Sequence, residues 1–153
     1  IAGDFIRHAI TLLEEGATQA GRNLEDIDIV SYPVISISRD SKKAKNSVKP
    51  VVATRMARDH FGAHLETSGI RSESIEKVKT LVEAGDMEEA QKQISDNDLK
   101  NFAIAGTPDE CVDGLRKLGD LGLKTICPML YGGPNPEEAI QLFAREVVPH
   151  FQS

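Results

Sequence analysis

The stretch of residues 26–38, DIDIVSYPVISIS, constrains the fold of this chain more than any other feature. It is rich in β-branched residues, which favour strands. One alternating face carries Ile27, Ile29, Ile35 and Ile37, and the other carries Val30, Tyr32 and Val34. A strand that is apolar on both faces is typical of a parallel sheet covered by helices on both sides. Pro33 cannot donate a ladder hydrogen bond, so it favours an edge position or a bulge.

Helical patterns surround this strand. Residues from Asp4 to Gly21 carry an apolar stripe at helical spacing, and Gly21 stands where a helix is expected to end. A long helix is predicted from Asp40 to about Glu66, with Pro50 expected to kink or split it. Residues from about 66 to 101 predict two or three short polar helices, which we interpret as an insertion.

The stretch of residues 105–130, AGTPDECVDGLRKLGDLGLKTICPML, predicts a helix followed by a strand. Thr107 and Glu110 form a capping box, Pro108 suits the first helical position, and Gly122 ends the helix. Residues 125–130 then form a short apolar strand, and a last helix begins near residue 135. The alternating order of helices and strands predicts the α/β fold class.

Composition limits the function further. The 153 residues fit one domain, and the net charge of −6 argues against a nucleic-acid binder, which needs a basic face. No apolar run approaches the roughly 20 residues that span a bilayer, so we expect a cytoplasmic protein with no membrane partner.

Cys111 and Cys127 both lie in apolar patterns and are expected to pack in the core. The chain begins inside a helical pattern without Met, which we interpret as the C-terminal piece of a longer protein.

Three ordered segments carry a family resemblance: EEGATQAGRNLEDIDIVSYPVISISRDSKKA (residues 14–44), FAIAGTPDECVDGLRKLGDLGLKTI (102–126) and YGGPNPEEAIQLFAREVVPHF (131–151). Together they resemble the bacterial-luciferase-like flavin and deazaflavin oxidoreductases. Within that superfamily they are most similar to the archaeal group that includes methylenetetrahydromethanopterin reductase.

The resemblance implies that residues 1–153 are the C-terminal part of one (β/α)8 TIM-barrel domain whose N-terminal part is absent. About two parallel strands, residues 27–38 and 125–130, would lie in predominantly helical surroundings. The cofactor would be coenzyme F420 or FMN, with hydride transfer to or from a small organic substrate. The family's cofactor-phosphate residues and most of its catalytic groups lie on earlier strands, so no catalytic residue can be assigned here. The resemblance therefore predicts a fragment that is inactive alone and binds no cofactor by itself. Its strand faces are expected to be exposed unless another chain covers them, which favours a homo-oligomer.

In such a barrel the functional face lies at the carboxyl ends of the strands. There, Tyr131, Gly132 and Gly133 are candidates for cofactor binding, because glycine lets a ligand approach the backbone. The alternative is a plain strand-to-helix turn, favoured by Glu137 and Glu138, which suit the helix dipole but repel a phosphate.

Ser38 and Arg39 follow the first strand and are candidates for substrate binding. The planar guanidinium of Arg39 can hold a carboxylate or phosphate bidentately. The alternative is that Arg39 forms a solvated pair with Asp40.

Two weaker patterns remain in the polar region. His60 and His64 have the i, i+4 spacing of two metal ligands, but no third ligand is evident, so no metal site is assigned. Gly62, Gly69 and Gly85 are either hinges of a lid or helix ends.

The sequence thus leaves three functions open. The first is a deazaflavin- or flavin-dependent oxidoreductase of which this chain is a part. The second is a non-catalytic α/β module whose copies cover each other's strands. The third is a small metal-binding helical domain built around His60 and His64.

Overall fold

The computed structural model describes residues 1–58 and 72–152. Within these ranges the α-helices are α1 (Gly3–Gln19), α2 (Ser41–Met56), α3 (Ser72–Glu83), α4 (Met87–Lys92), α5 (Asp96–Phe102), α6 (Pro108–Asp120) and α7 (Pro136–Leu142). The strands are β1 (Val30–Ser31), β2 (Val34–Ile37), β3 (Ala103–Gly106), β4 (Thr125–Ile126) and β5 (Met129–Leu130). A π-helical turn over Phe143–Val147 follows α7. None of the described helices combines the length and apolar character needed to cross a membrane.

The central strand of the main sheet is β2, which lies between β3 and β5. All pairs are parallel, with Val34 opposite both Ala103 and Met129. β1 pairs in parallel with β4. The predicted α/β class with parallel strands is therefore confirmed.

The strand predicted over residues 27–38 is divided at Pro33, between β1 and β2. Pro33 has no N–H to donate, which explains the break. Its carbonyl still accepts from the N–H of Met129 at 2.8 Å. The same spacing holds on either side, where the Cys127 and Tyr131 N–H groups donate to carbonyls of this strand. Backbone hydrogen bonds therefore continue from the β1–β4 pair into the β2–β5 pair, and Pro33 lies at the break between β1 and β2.

Two hydrophobic cores cover the two faces of β2. On one face Val34 packs with α2, α3, α4 and α5, in what we call the α2-side core. On the opposite face Ile35 and Ile37 pack with α6 and α7, in the α6-side core. All four residues of β2 are buried. The pattern that was apolar on both faces thus corresponds to a strand covered on both sides.

The prediction that the strand faces would be left exposed is wrong for β2, because the helices of the same chain cover it. The predicted exposure is found on one face of the paired strands β1, β4 and β5. Val30, Tyr32, Met129 and Tyr131 remain 36%, 60%, 41% and 53% exposed. The chain therefore completes one half of its sheet and leaves the other half open on one side.

Sequence reasoning missed the strand β3. Its residues, Ala103–Gly106, follow α5 directly and precede the cap of α6. Two alanines and a glycine among four residues give little strand preference, so the sequence pattern does not indicate a strand here. Its pairing with the whole of β2 makes it a strand, which is a tertiary effect.

The helix α6 begins as its sequence predicts. The Thr107 side chain accepts from the Glu110 N–H, and the Glu110 carboxylate accepts from the Thr107 N–H, so the capping box is confirmed. A side chain at Gly114 would bring Cβ within 2.8 Å of Ile104, so glycine allows α6 to lie close against β3. Gly122 follows the helix with φ +92°, as expected of a helix end.

The helix α2 runs unbroken from Ser41 to Met56, so Pro50 does not split it. The other predicted outcome, a kink at Pro50, stays a prediction. Five of its residues are at most 1% exposed: Ala44, Val48, Val52, Ala53 and Met56. This packing against β2 and β3 compensates for the hydrogen bond that proline cannot donate. The predicted continuation of this helix to residue 66 lies partly outside the described residues.

The polar region after residue 72 forms three short helices, α3 to α5. Asp86 and Ser95 cap the second and third of them. Val78, Ala90 and Leu99 turn inward and belong to the α2-side core. These helices are thus packed against the sheet's own core, although their sequences are mainly polar. That they are an insertion in the domain stays a prediction.

Candidate functional site at the carboxyl edge of the sheet

The carboxyl ends of β2, β3 and β5 meet at one edge, because the three strands are parallel. The Ser38 N–H donates to the Gly106 carbonyl at 3.1 Å, and the Tyr131 N–H donates to the Ile35 carbonyl at 2.7 Å. We call this region the carboxyl edge; it consists of Ser38, Arg39, Gly106, Thr107, Tyr131, Gly132 and Gly133. All five residues predicted as site residues therefore lie in the same region.

Ser38 is 6% exposed at the end of β2. Its hydroxyl accepts a hydrogen bond from the Asp40 N–H at 3.2 Å. The side chain therefore shapes the turn from β2 into α2, where Asp40 caps the helix by accepting from the Lys43 N–H at 3.1 Å.

Arg39 pairs with Glu146 rather than with Asp40, so the alternative predicted for it is wrong. Its two terminal nitrogens each donate to one carboxylate oxygen of Glu146, with Nη1 3.2 Å from Oε2. Glu146 belongs to the π-helical turn after α7, which brings it to the end of β2. An anionic ligand that binds Arg39 has to compete with this internal carboxylate.

The two glycines after β5 are required by the chain's own packing. Gly132 and Gly133 have φ values of +80° and +63°, which favour glycine. A Cβ at Gly133 would lie 2.5 Å from the backbone oxygen of Ile37, and one at Gly132 would lie 3.0 Å from Pro136. This geometry supports a tight strand-to-helix turn. Asn135 then caps α7 by accepting from the N–H groups of Glu137 and Glu138.

Tyr131 is the exposed aromatic residue of the carboxyl edge, with 53% of its surface accessible. It lies near Arg55, whose pKa is lowered by burial and raised in part by Tyr131. Arg55 also contacts the sulfur of Met129, with Nη2 3.9 Å from Sδ. The ring of Tyr131 is thus accessible, whereas the two glycines beside it are packed.

A second polar cluster, missed by sequence reasoning, surrounds Glu110 at the start of α6. Lys45 Nζ donates to Glu110 Oε1 at 2.9 Å, and the Thr107 N–H donates to Oε2 at 2.7 Å. Burial raises the pKa of Glu110, but the Ser41 hydroxyl, Thr107 and Lys45 outweigh it and lower the pKa to about 2. The Ser41 oxygen is buried near this carboxylate but outside hydrogen-bond geometry. The capping-box pattern predicts the contact between Thr107 and Glu110. The contact of Lys45 with Glu110 is not predictable from the sequence, because it depends on how α2 packs in the fold.

A cavity of about 520 Å³ runs along the outer edge of β3 beside this cluster. Its lining includes Lys45, Glu110, Lys100 and Asp113. The charges are of both signs, so the cavity has no strong preference for an anion or a cation. It lies beside β3 and is separate from the five predicted site residues.

The two cysteines differ. Cys111 is fully buried, as predicted, and burial together with the nearby Glu110 raises the pKa of its thiol to about 12. Cys127 is exposed between β4 and β5, so its predicted core position is wrong. The reason is that no helix among residues 1–58 and 72–152 covers its face of the strand.

The metal hypothesis lies outside the described residues, because His60 and His64 fall in the range 59–71, as do Gly62 and Gly69. Among the residues that the structure describes, no group of three or more His, Cys, Asp or Glu side chains could hold a metal ion. Gly85 follows α3 with φ +79°, which agrees with a helix end.

Comparisons with known proteins bear directly on these predictions. The family model "Luciferase-like monooxygenase" matches residues 2–125. The 5,10-methylenetetrahydromethanopterin reductase of Methanopyrus kandleri is 35% identical over 94% of this chain and 41% of its own length. The enzyme of the same name from Methanolobus tindarius is 31% identical over 92% of this chain and 43% of its own length.

A solved structure, the coenzyme F420 dependent tetrahydromethanopterin reductase of Methanopyrus kandleri, superimposes with a TM-score of 0.85 at 34% identity. The match covers 96% of this chain and 42% of that protein. This chain thus spans about two fifths of the length of the relatives it matches, and its fold corresponds to a fragment of the reductase fold. With the family match over residues 2–125, the chain belongs to the luciferase-like monooxygenase family.

Proposed function

We propose that this chain is the C-terminal part of one TIM-barrel domain in a cytoplasmic oxidoreductase that transfers a hydride between coenzyme F420 and a small organic substrate. The observation that carries the proposal is the likeness, over 94% of the chain, to proteins named 5,10-methylenetetrahydromethanopterin reductase. The likeness to a structure described as coenzyme F420 dependent favours that cofactor over FMN. The partners are small molecules and, as a homo-oligomer, further copies of the protein, with no nucleic acid and no membrane.

For the site we propose that Tyr131, Gly132 and Gly133 face the cofactor and that Ser38 and Arg39 face the substrate. Two observations support this assignment. The five residues share the carboxyl edge, which is where ligands bind in parallel α/β folds. The aromatic ring of Tyr131 is accessible, and a flat cofactor ring can pack against it.

The residues present fit part of a cofactor site and not the whole. Gly132 and Gly133 are packed against the chain itself, Arg39 is already paired with Glu146, and two acidic residues begin α7. Among the described residues of this edge, therefore, none forms a phosphate cradle. When bound, the cofactor supplies the hydride chemistry. This chain then contributes a ring contact and a substrate contact, and we expect the isolated 153 residues to be inactive.

The test is a titration of the longer protein that contains this sequence with reduced F420 and, separately, with FMN. We expect F420 fluorescence to change on binding and Tyr131→Ala to weaken that binding. Arg39→Gln is expected to raise KM for the substrate at unchanged F420 affinity, whereas Arg145→Gln, in the same π-helical turn as Glu146, leaves both unchanged. Failure of both cofactors to bind contradicts the proposal.

The second candidate function is a self-associating, non-catalytic module. The exposed face of β1, β4 and β5 favours it, since an apolar sheet face is a site of association. Light scattering on the 153-residue chain distinguishes the two. A folded monomer at micromolar concentration contradicts self-association and leaves the oxidoreductase proposal standing.

A further inference from the structure

Two arginines lie near the carboxyl edge, and they belong to different sides of the sheet. Arg39 follows β2 and pairs with Glu146 in the π-helical turn, whose apolar residues pack in the α6-side core. Arg55 belongs to the last turn of α2, whose buried residues form part of the α2-side core. Each side of the sheet therefore brings its own guanidinium towards the same edge.

The strand register places Arg55 and Tyr131 on the same face. Val34, which packs in the α2-side core, lies opposite Met129 in the β2–β5 pair. Paired residues of neighbouring strands share a face, as do alternate residues along one strand, so Met129 and Tyr131 both face the α2 side. Arg55 Nη2 lies 3.9 Å from Met129 Sδ, and Tyr131 is close enough to affect the pKa of Arg55. The guanidinium of Arg55 thus lies beside the accessible ring of Tyr131.

The surroundings of Arg55 do not fully offset the cost of its partial burial. Burial is the largest cause that lowers the pKa of Arg55; Tyr131 opposes it in part, and the nearby charge of Arg58 adds to it. The Met129 sulfur is neutral and a weak acceptor. Arg39, in contrast, donates from both terminal nitrogens to a carboxylate. An oxyanion beside Arg55 would stabilise its charged form, since opposite charge and charge-assisted hydrogen bonds both favour it.

We propose that Arg55 is a ligand-binding residue and holds an oxyanion, a carboxylate or phosphate, of the molecule that packs against the Tyr131 ring. The planar fork of arginine pairs bidentately with both groups, and the aromatic ring beside it offers a flat apolar surface. This inference rests on the proposed function, because it extends the ligand site that contains Tyr131. It adds a residue from α2, a helix to which the sequence pattern assigned no functional role.

A purely structural role for Arg55 makes different predictions. A cation in the last turn of a helix stabilises the helix dipole. In that case Arg55→Gln lowers the stability of the protein to the same extent with and without a ligand, and Arg55→Lys restores it fully. A ligand-binding role changes affinity instead, and lysine restores it only in part because it lacks the planar fork.

The experiment uses the longer protein that contains this sequence, with reduced F420 and 5,10-methylenetetrahydromethanopterin, the compound named in the relatives' activity, as probes. We expect Arg55→Gln to raise either the Kd for F420 or the KM for the second compound by about tenfold, the effect of losing one charge-assisted hydrogen bond. Arg55→Lys should lose about threefold. Lys49→Gln, which removes a charge from the same helix, should leave both values unchanged.

The two arms identify the source of the oxyanion. A raised Kd for F420 assigns it to the cofactor, whereas a raised KM at unchanged Kd assigns it to the substrate. Arg55→Gln with both values within about twofold of the wild type overturns the proposal, provided that circular dichroism shows a folded variant.

A third arm separates this inference from the proposed function. Phenylglyoxal modifies accessible guanidinium groups, and mass spectrometry of the digested protein follows each arginine separately. We expect inorganic phosphate to slow the modification of Arg55 by about threefold or more and to leave that of Arg7, exposed on α1, unchanged. If the wild type binds no F420, the proposed function fails and this arm decides. Selective protection of Arg55 then supports the oxyanion site, and equal rates with and without phosphate overturn it.

Discussion

The two sides of the central strand β2 are completed differently. On the side of β3, the helices α2 and α6 pack against opposite faces of the sheet, and every residue of β2 is buried. Towards β5, the α6-side core covers one face, and the other presents Tyr32, Met129 and Tyr131 to solvent. The first half is therefore a finished domain core, whereas the second half has the character of an interface. A partial α/β chain can thus be well packed in one place and incomplete a few residues away.

The largest expected effect contrasts buried and open positions on adjacent strands. Ile35→Ala removes a side chain that is 0% exposed, and we expect it to lower the free energy of unfolding by about 3 kcal/mol. Met129→Ala, at a position 41% exposed on the open face of β5, is expected to cost less than about 1 kcal/mol. Urea unfolding followed by far-UV circular dichroism measures both, since the sequence has no tryptophan. Equal losses contradict the difference between the two halves.

An intermediate effect is expected at the turn that joins β5 to α7. Gly133→Ala places a Cβ at positive φ and 2.5 Å from the Ile37 oxygen, so we expect a loss of about 2 to 3 kcal/mol. The matched control is Gly21→Ala, which has φ +66° but nothing within 4 Å of the added Cβ. It should lose about 1 kcal/mol, from the backbone conformation alone. The difference between the two measures how tightly the turn is packed against β2.

The smallest effect is expected in the polar cluster around Glu110, which lies in the fully packed half of the sheet. Glu110→Gln keeps the capping acceptor but removes the charge that Lys45 and the start of α6 stabilise. Because the Glu110 side chain is 44% exposed, solvent screens this charge, and we expect a loss below about 1 kcal/mol at pH 7.

The pH dependence of that loss has a definite sign. A folded pKa of about 2 lies below the ordinary value of 4.5, so the charge stabilises the fold above pH 4.5. The advantage of the wild type over Glu110→Gln should fall as the pH drops from about 4.5 and vanish near pH 2. Thermal unfolding across this range measures it, and Lys45→Gln serves as the control for the pair. A difference that persists unchanged at pH 2 contradicts the assigned ion pair.

The sequence predictions that failed concern features that depend on neighbouring elements of the fold. The capping box of α6, the helix ends at Gly21 and Gly122, and the strands on both sides of Pro33 depend on local chemistry, and they were predictable. The strand β3 and the exposure of Cys127 depend on what lies beside them. Both were misjudged because a pattern reports local preference, and not which neighbour covers a given face.

The same distinction applies to the candidate site. Parallel strands bring their carboxyl ends together, so the shared position of Arg39 and Tyr131 followed from the sequence. The partner of Arg39 did not, because Glu146 is 107 residues away along the chain. The packing of Gly133 against Ile37 was equally hidden, and it gives this glycine a structural role that the sequence does not indicate.

By itself, the sequence determined the α/β class, the positions of most helices and strands, and the family resemblance, because these depend on periodicity, capping and local residue order. Only the tertiary structure decided that β3 joins the sheet, that both faces of β2 are buried by the chain's own helices, and that one face of β1, β4 and β5 stays exposed. Burial is a property of pairs of surfaces, and a single strand pattern specifies an apolar face without specifying what covers it.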